Sequence, residues 1–351
     1  MRKLLPVLLL FPAVAFADEP SCSTSTYQSL DLPSNAACSV ESITDANRAA
    51  LLKAQGENHD GLDFLISLSG GETANARLKQ TAAKAPWLVG LSISDVTELA
   101  PLKSLKKLRR LEIYSLELKD LSAIAALTQL ETLILKLGEP VDLAVLAKLP
   151  KLKRLRLDLR QDIDPQLLDK LTNLVELRID AKLANSDGVA KLTKLEVLEL
   201  AGGVAITSSQ LLAGLHGLKH LRVSEKGLHE LDGLAGLTAL TTLDLSKSGV
   251  TRVDGVGKLP ALRKLDLDEA PLADATPLAA LPALEDLRLS GTQVRDVAAL
   301  AKGLPALRWL YLDGTRVTDA RALLPRAKTL RGLKLPKGVD MAPFTAINHE
   351  L

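Results

Sequence analysis

Leucine recurs along the chain in a six-residue pattern, LxxLxL, in which the last position also accepts Ile or Val. Successive copies begin 21 to 23 residues apart. The copies begin at Leu108, Leu130, Leu152, Leu174, Leu195, Leu218, Leu240, Leu262, Leu284, Leu307 and Leu330. A shorter unit begins at Leu88 and continues with Leu91 and Ile93. A period of this length indicates an array of stacked structural repeats.

The spacing within one unit predicts its secondary structure. The two leucines of LxL point to one face of a β-strand, and the residue between them points to the other face. One short strand cannot bury its leucines alone, but stacking on the next unit buries them. Proline in the return half disfavours long helices and favours short helical or 3₁₀ turns. These prolines are Pro150, Pro260, Pro277, Pro282 and Pro305.

Two units are nearly alike: Leu284–Asp296 reads LEDLRLSGTQVRD, and Leu307–Asp319 reads LRWLYLDGTRVTD. They resemble the short leucine-rich repeats of bacterial internalin-type proteins, and the resemblance covers about residues 86–336. It implies an α/β fold, a right-handed leucine-rich-repeat solenoid shaped as a horseshoe. A parallel β-sheet would line the concave face, and short helical or 3₁₀ turns the convex face. It also implies a binding protein.

The sequence departs from that family at one position. The internalin-type repeat often has an Asn after the strand, whose side chain bonds to neighbouring turns. This chain has Lys226, Ser248, Thr292 and Thr315 there. A hydroxyl can still satisfy backbone groups, whereas Lys226 cannot accept a hydrogen bond.

The first 17 residues have the pattern of a secretory signal peptide. Arg2 and Lys3 form a positive n-region, Leu4–Val14 is apolar, and residues 15–17 (AFA) fit the small-x-small cleavage site. An uncleaved membrane anchor needs about 20 apolar residues, which this run does not reach. We therefore expect an exported protein, periplasmic or extracellular, that is not inserted in a membrane after signal cleavage.

The two cysteines, Cys22 and Cys38, follow closely behind the signal. An even count in an exported chain favours a disulfide. No His or further Cys lies at ligand spacing, which disfavours a metal site. In the chain-entropy model, closing a loop of about 15 residues contributes about 3 kcal/mol.

Both ends of an open solenoid need a cap. We expect residues 18–85 to form an N-terminal capping region held by the disulfide. It would contain helical runs near 46–54 and 74–85 and a degenerate first strand within 62–68. The array then spans 86–336 with about 12 repeats. Residues 337–351 form a C-terminal cap or tail, in which Phe344 and Ile347 cover the last repeat.

Composition narrows the classes of function. The chain is 47% hydrophobic and 25% charged, which excludes a disordered protein, and only 3% aromatic. Removal of Arg2 and Lys3 with the signal takes the formal net charge from +2 to 0. A neutral chain lacks the basic excess that non-specific binding of nucleic acid or anionic membranes requires.

The residue between the two strand leucines of each unit faces the concave side, and strands stack about 4.8 Å apart. These residues therefore form a row, here called the central column. The column runs Glu112, Ile134, Arg156, Arg178, Glu199, Arg222, Asp244, Asp266, Arg288, Tyr311 and Lys334.

Charge along this column changes sign. A basic zone comprises Arg154, Arg156 and Arg178. An acidic zone comprises Asp244, Asp266 and Asp268. Like charges across neighbouring strands destabilise a sheet. We hypothesise that the basic zone receives an acidic group of a partner and the acidic zone a basic one. The alternatives are screening by solvent and counter-ions, or a ladder of ion pairs where Arg178, Glu199 and Arg222 alternate in sign.

Aromatic residues offer a third candidate zone. Trp309 and Tyr311 flank Leu310 on one strand and project from the same face. Both residue types are enriched at binding hot spots and can stack on sugar rings. Alternatively, they pack against the C-terminal tail as part of the cap. The candidate partner-binding residues are thus Arg154, Arg156, Arg178, Arg222, Asp244, Asp266, Asp268, Arg288, Trp309 and Tyr311.

No catalytic constellation is present in the sequence. It contains no HExxH, GxSxG or P-loop motif. His216 and His220 have a zinc-like spacing, but one belongs to a convex turn and the other to the next strand, so we expect no metal site. The sequence therefore predicts a monomeric protein-binding scaffold, not an enzyme, that needs no cofactor. The alternative is a module that binds glycan or cell-wall polysaccharide.

Overall fold

A computed structural model of the chain describes residues 21–25, 35–39, 48, 51–53, 64–68 and 73–344. The proposed signal peptide at 1–17, most of the helical run near 46–54, and Ile347 lie outside these residues.

The described residues form one 15-stranded sheet in which each strand pairs with the next in the chain. Strand β1 (Ser21–Ser25) pairs antiparallel with β2 (Asn35–Ser39), and all later pairings are parallel. The other strands are β3 (Phe64–Leu68), β4 (Gly90–Ser94), β5 (Arg110–Ser115), β6 (Thr132–Leu137), β7 (Arg154–Leu159), β8 (Glu176–Asp180), β9 (Val197–Ala201), β10 (His220–Val223), β11 (Thr242–Asp244), β12 (Lys264–Asp266), β13 (Asp286–Arg288), β14 (Trp309–Tyr311) and β15 (Gly332–Lys334). From β5 onward each strand begins one residue before an LxL segment and includes at least the first two residues of that segment, which confirms the predicted strands.

Short turns connect these strands on the other side of the core. Two α-helices lie in the described residues 73–344, α1 (Ala74–Lys84) and α2 (Ala298–Gly303). The 3₁₀ helices are Ala100–Ser104, Ser122–Ala126, Leu143–Lys148, Pro165–Lys170, Asp187–Lys191, Ser209–Leu212, Asp232–Leu234, Val256–Lys258, Thr276–Ala280, Arg321–Arg326 and Ala342–Phe344. The predicted parallel sheet with short 3₁₀ turns is confirmed.

The repeated leucines build one continuous core between sheet and turns. Leu108, Leu111 and Ile113 of one repeat are fully buried, and so are Ile124 and Leu127 of its return half. Full burial of one such side chain stabilises the fold by about 1.5–3 kcal/mol. Because each repeat contacts only its neighbours, this stabilisation adds along the array.

In several turns that follow a strand, hydroxyl side chains stand where the internalin-type repeat often has Asn. The hydroxyls of Thr292 and Thr315 each donate a 2.7 Å hydrogen bond to a carbonyl of their own turn. Ser248 Oγ accepts from the Val250 N–H at 3.4 Å. Lys226 is exposed and leaves the turn interior. As predicted, the hydroxyls satisfy backbone groups.

The N-terminal strands continue the sheet beyond the repeats. β3 lies within the segment where the degenerate strand was expected, and α1 within the expected helical run. In the antiparallel pair, Cys22 lies directly opposite Cys38. Directly opposed residues have Cα atoms about 4.5–5.5 Å apart, within the range of a disulfide. The register is compatible with the disulfide, which stays a prediction, as do the boundaries of the capping region.

At the other end, the last described turn lies against the final repeat. Phe344 is 1% exposed and belongs to the hydrophobic core. Val339 and Met341 are partly buried and pack against that core. An aromatic side chain here covers apolar surface that an open array would leave in water.

The concave face as candidate binding site

The central column exists in the structure as the sequence predicted. Strand register places its residues side by side from Glu112 to Lys334, and Ser92 of β4 extends the row by one. A leading column lies two residues before it on each strand, with Arg154, Glu176, Val197 and His220 in consecutive strands. A trailing column two residues after it includes Tyr114, Lys136 and Asp158.

Arg178 lies at the centre of a compact ionic network. Its guanidinium is 2.6 Å from Glu176 and 2.5 Å from Glu199, and the side chain is 11% exposed. His220 Nε2 lies 3.2 Å from the same Glu199 oxygen. Arg154 is only 3.8 Å from Glu176. The Arg178–Glu199 pair is one step of the alternating ladder that was the alternative explanation for Arg178, whereas Arg222 pairs with Asp244.

The pKa values follow from this pairing. Burial disfavours the Arg178 cation, but the charges and hydrogen bonds of the two glutamates outweigh burial and raise its pKa. Burial opposes ionisation of Glu199, but His220 and Arg178 outweigh it and lower its pKa. The charge of Arg178 is therefore matched inside the protein, and its role in partner binding stays a prediction.

Arg156 differs from Arg178 although the two are register neighbours. Its side chain is exposed and makes no ion pair or hydrogen bond with any residue that the structure describes. Its other neighbour in the column is Ile134. Arg154, beside it on β7, has 40% of its side chain exposed. The available cations of the basic zone are thus Arg154 and Arg156.

The acidic zone is also partly matched internally. Asp244 lies 3.3 Å from Arg222, whereas Asp266 and Asp268 form no ion pair among the described residues. Asp266 accepts a 3.0 Å hydrogen bond from the Asp268 N–H, and Asp268 accepts one of 2.6 Å from the Ser290 N–H.

Burial, aided by the charges of Asp268 and Asp244, raises the pKa of Asp266 to about 6, against the hydrogen bond from the Asp268 N–H and the charge of Arg288. Burial also raises the pKa of Asp268, although its bonds to Ser290 oppose the shift. Desolvation without a paired cation disfavours the ionised carboxylate. Asp266 and Asp268 are therefore the carboxylates of the acidic zone that lack an ion pair among the described residues.

Trp309 and Tyr311 are both partly exposed on β14. Arg288 of the adjacent strand lies 4.9 Å from the centre of the Tyr311 ring, a cation–π distance. Its Nε lies 3.6 Å from Asp286. Arg288 and Tyr311 are thus held together on the face, while the choice between hot spot and cap for the two aromatics stays a prediction.

Solved structures of other proteins have the same architecture as this chain. An internalin of Listeria monocytogenes is 23% identical, with 86% of this chain and 92% of that chain covered at a TM-score of 0.70. A leucine-rich-repeat protein of Leptospira interrogans is 22% identical, with 77% of each chain covered at a TM-score of 0.60. The chain has the leucine-rich-repeat fold.

More distant leucine-rich-repeat structures match as well. The ectodomain of a membrane receptor kinase of Arabidopsis thaliana, solved in complex with Casparian strip integrity factor 2, is 18% identical. It covers 78% of this chain and 37% of that one at a TM-score of 0.55. No protein-family model matches the chain, and no curated protein matches it. Identities of this size establish the fold alone.

The structure adds residues to this leucine-rich-repeat face that the sequence reasoning passed over. Tyr114, near the end of β5, is 37% exposed, and Leu116, just beyond that end, is 62% exposed. The Tyr114 hydroxyl donates to Glu112 Oε2 at 3.1 Å, and burial together with that carboxylate raises the pKa of Tyr114 to about 12. Both follow the central-column residue of β5 in the chain, outside the positions from which the three candidate zones were predicted.

A shallow depression of about 330 Å³ also opens on the leading column. It lies above Val197, a short side chain between Glu176 and His220, and reaches Arg154 and Thr242. A depression of this size and polarity accepts one side chain of a partner more readily than a whole small molecule.

Nothing in the described part of the chain forms a metal centre. His216 is exposed in a turn beside Gly236, and His220 is buried on β10, so the pair does not converge, as predicted. Residues 21–25, 35–39 and the rest of the described chain contain no group of three or more His, Cys, Asp or Glu side chains placed to hold a metal ion. No helix among the described residues has the length and apolar character of a membrane span.

Proposed function

We propose that this protein is an exported scaffold that recognises another protein through the concave face of its leucine-rich-repeat solenoid. The observation that carries the proposal is the pair Arg154 and Arg156, of which Arg154 is half-buried and Arg156 is exposed without an ion partner among the described residues. Like charges on one face disfavour the isolated fold, and a partner carboxylate would offset that cost.

The shape of the face supports a macromolecular partner. Consecutive parallel strands present a broad and rigid surface, and the depression above Val197 is shallow. Arg288, Trp309 and Tyr311 add the residue types that dominate binding hot spots. A solved leucine-rich-repeat neighbour is itself a receptor ectodomain in complex with a named factor, which supports a binding role.

Affinity capture from a cell-envelope extract tests the proposal. We expect Arg154→Glu/Arg156→Glu to lose capture of the partner about ten- to hundredfold, since close charge pairs across an interface contribute about 1.4–2.8 kcal/mol. The matched control is Lys148→Glu/Lys170→Glu, which makes the same charge change in the convex turns of the neighbouring repeats. Equal capture by both folded variants would argue against the concave face.

Export is a separate part of the proposal and rests on the residue pattern of positions 1–17. Amino-terminal sequencing of the protein recovered outside the cytoplasm is expected to begin at Asp18. Recovery of a chain that retains Arg2 and Lys3 would contradict cleavage.

A glycan-binding role is the second candidate, because Trp309 and Tyr311 are both partly exposed on one strand. We expect soluble cell-wall glycan to leave protein capture unchanged; competition by glycan would favour the second candidate. Trp309→Ala/Tyr311→Ala separates the two roles of the aromatics. Lost binding with unchanged melting indicates a hot spot, and lowered melting indicates a cap.

A further inference from the structure

The central column contains two charged side chains that differ from all its others. Glu112, Arg178, Glu199, Arg222, Asp244, Arg288 and Lys334 each have an ion partner. Within the described residues, Arg156 on β7 and Asp266 on β12 have none. The two have opposite signs, and they are here called the basic pole and the acidic pole.

The stretch between the poles is neutralised internally. Arg178 is paired with Glu199, and Arg222 lies 3.3 Å from Asp244. A partner charge placed over these pairs would have to compete with an existing counter-charge, so it would gain little. The electrostatic contrast of the column is therefore concentrated at its two poles.

A neighbour of the same sign reinforces each pole. Arg154 stands beside Arg156 with its nearest carboxylate 3.8 Å away, and Asp268 follows Asp266 without an ion pair. Desolvation already raises the pKa of Asp266 to about 6, so a cation brought there would stabilise its ionised form. Asp180 and Lys264, in the flanking columns, also lack ion partners among the described residues, and they leave the sign of the central column unchanged.

The distance between the poles sets the length of the segment that can reach both. From β7 to β12 there are five strand spacings, about 24 Å at about 4.8 Å each. An extended chain that rises about 3.3 Å per residue covers this distance in about seven residues. A helix in a groove needs an apolar floor, whereas the stretch between the poles is ionic. The geometry therefore favours an extended occupant.

We propose that the concave face binds an extended segment of a partner protein that places an acidic residue over Arg156 and a basic residue about seven positions away over Asp266. This inference rests on the proposed function, because it names the chemistry and orientation of the recognised segment. The polarity of the column would then fix the direction in which the segment lies.

Selection from a random 15-residue peptide library against the full chain tests the inference. We expect enriched peptides to carry an acidic and a basic residue about seven positions apart, in one predominant order. The pole-swapped variant, Arg156→Asp/Asp266→Arg, is expected to select the opposite order. The matched control, Lys191→Asp/Asp169→Lys, swaps an exposed ion pair between two convex 3₁₀ turns and is expected to select the same order as the unmodified chain.

Neutral variants guard against a swap that fails to fold. Arg156→Gln and Asp266→Asn are each expected to lower affinity for a selected peptide about five- to tenfold. This is the loss expected when one modest charge pair is removed. Enriched peptides without the charge spacing, or with the same order on the pole-swapped variant, would overturn the inference and leave concave-face binding intact. If the affinity of the selected peptides is unchanged by the pole substitutions and also by Arg154→Glu/Arg156→Glu, the result would count against the proposed function as well.

Discussion

Asp266 is ionised at neutral pH although it lies half-buried on β12 without an ion partner among the described residues. We expect Asp266→Asn to stabilise the fold at neutral pH. The amide is isosteric with the carboxylate, and its oxygen can still accept the 3.0 Å hydrogen bond from the Asp268 N–H. The substitution removes the desolvated charge and its repulsion by Asp244 and Asp268, together with the smaller attraction of Arg288.

The magnitude follows from the pKa. A rise from 3.8 to about 6 corresponds to about 3 kcal/mol at about 1.36 kcal/mol per unit. Because the side chain is partly exposed, solvent screening reduces this to about 1–1.5 kcal/mol. The folded state holds the Asp266 proton more tightly than the unfolded state. Protonation of Asp266 therefore stabilises the folded state of the unmodified chain below about pH 4, and this contribution is lost as pH rises from about 4 to about 6.

Urea and thermal unfolding of both proteins at pH 7.5 and pH 3.5 measure the effect. The Asn variant is expected to be more stable at pH 7.5 and nearly equal at pH 3.5, where Asp266 is protonated in the folded state and mostly protonated in the unfolded state. Since a repeat array need not unfold in one step, hydrogen exchange of the β11–β13 amides supplies a local measure. Asp158→Asn on β7 is the control, because it removes a carboxylate that is paired with Lys136 at 2.9 Å, and it is expected to give no stabilisation at pH 7.5. A less stable Asp266→Asn protein at pH 7.5 would refute the reasoning.

Three further predictions concern the scaffold. Gly291 has a φ of +71°, so Gly291→Ala is expected to lower the free energy of unfolding by about 1–2 kcal/mol. Gly214 has open space around it, so Gly214→Ala is expected to be neutral. Equal effects of the two substitutions would contradict the backbone explanation. Leu265→Ala, at a fully buried position of β12, is expected to cost about 2–5 kcal/mol, and a cost below about 1 kcal/mol would exclude close packing there. Non-reducing peptide mapping is expected to recover Cys22 linked to Cys38; two free thiols would exclude the disulfide.

The leucine pattern predicted most of the fold because its geometry leaves little choice. A register slip of one residue would move Leu221 and Leu243 from core to solvent, so the strands align in one way. The central column follows directly from that alignment. Strands β1 and β2 escaped prediction because Ser21–Ser25 and Asn35–Ser39 contain mostly small or polar residues with no apolar alternation.

The candidate site was predictable only in part. Sequence placed Arg156 and Arg178 side by side and assigned both to one basic zone. The structure separates them, because Arg178 reaches Glu176 on its own strand and Glu199 on the next, while Arg156 reaches neither. The exposed Tyr114 and Leu116 were also passed over, since both follow the periodic positions that guided the reasoning.

By itself, the sequence determined the repeat, the buried leucines and the order of residues along the central column. These depend on spacing alone, because a strand alternates its faces every residue and the repeats stack in chain order. Only the tertiary structure decided which charges remain unpaired. Ion pairing acts over about 3–4 Å between flexible side chains of adjacent repeats, and their reach, burial and competing partners are set by packing and not by sequence distance.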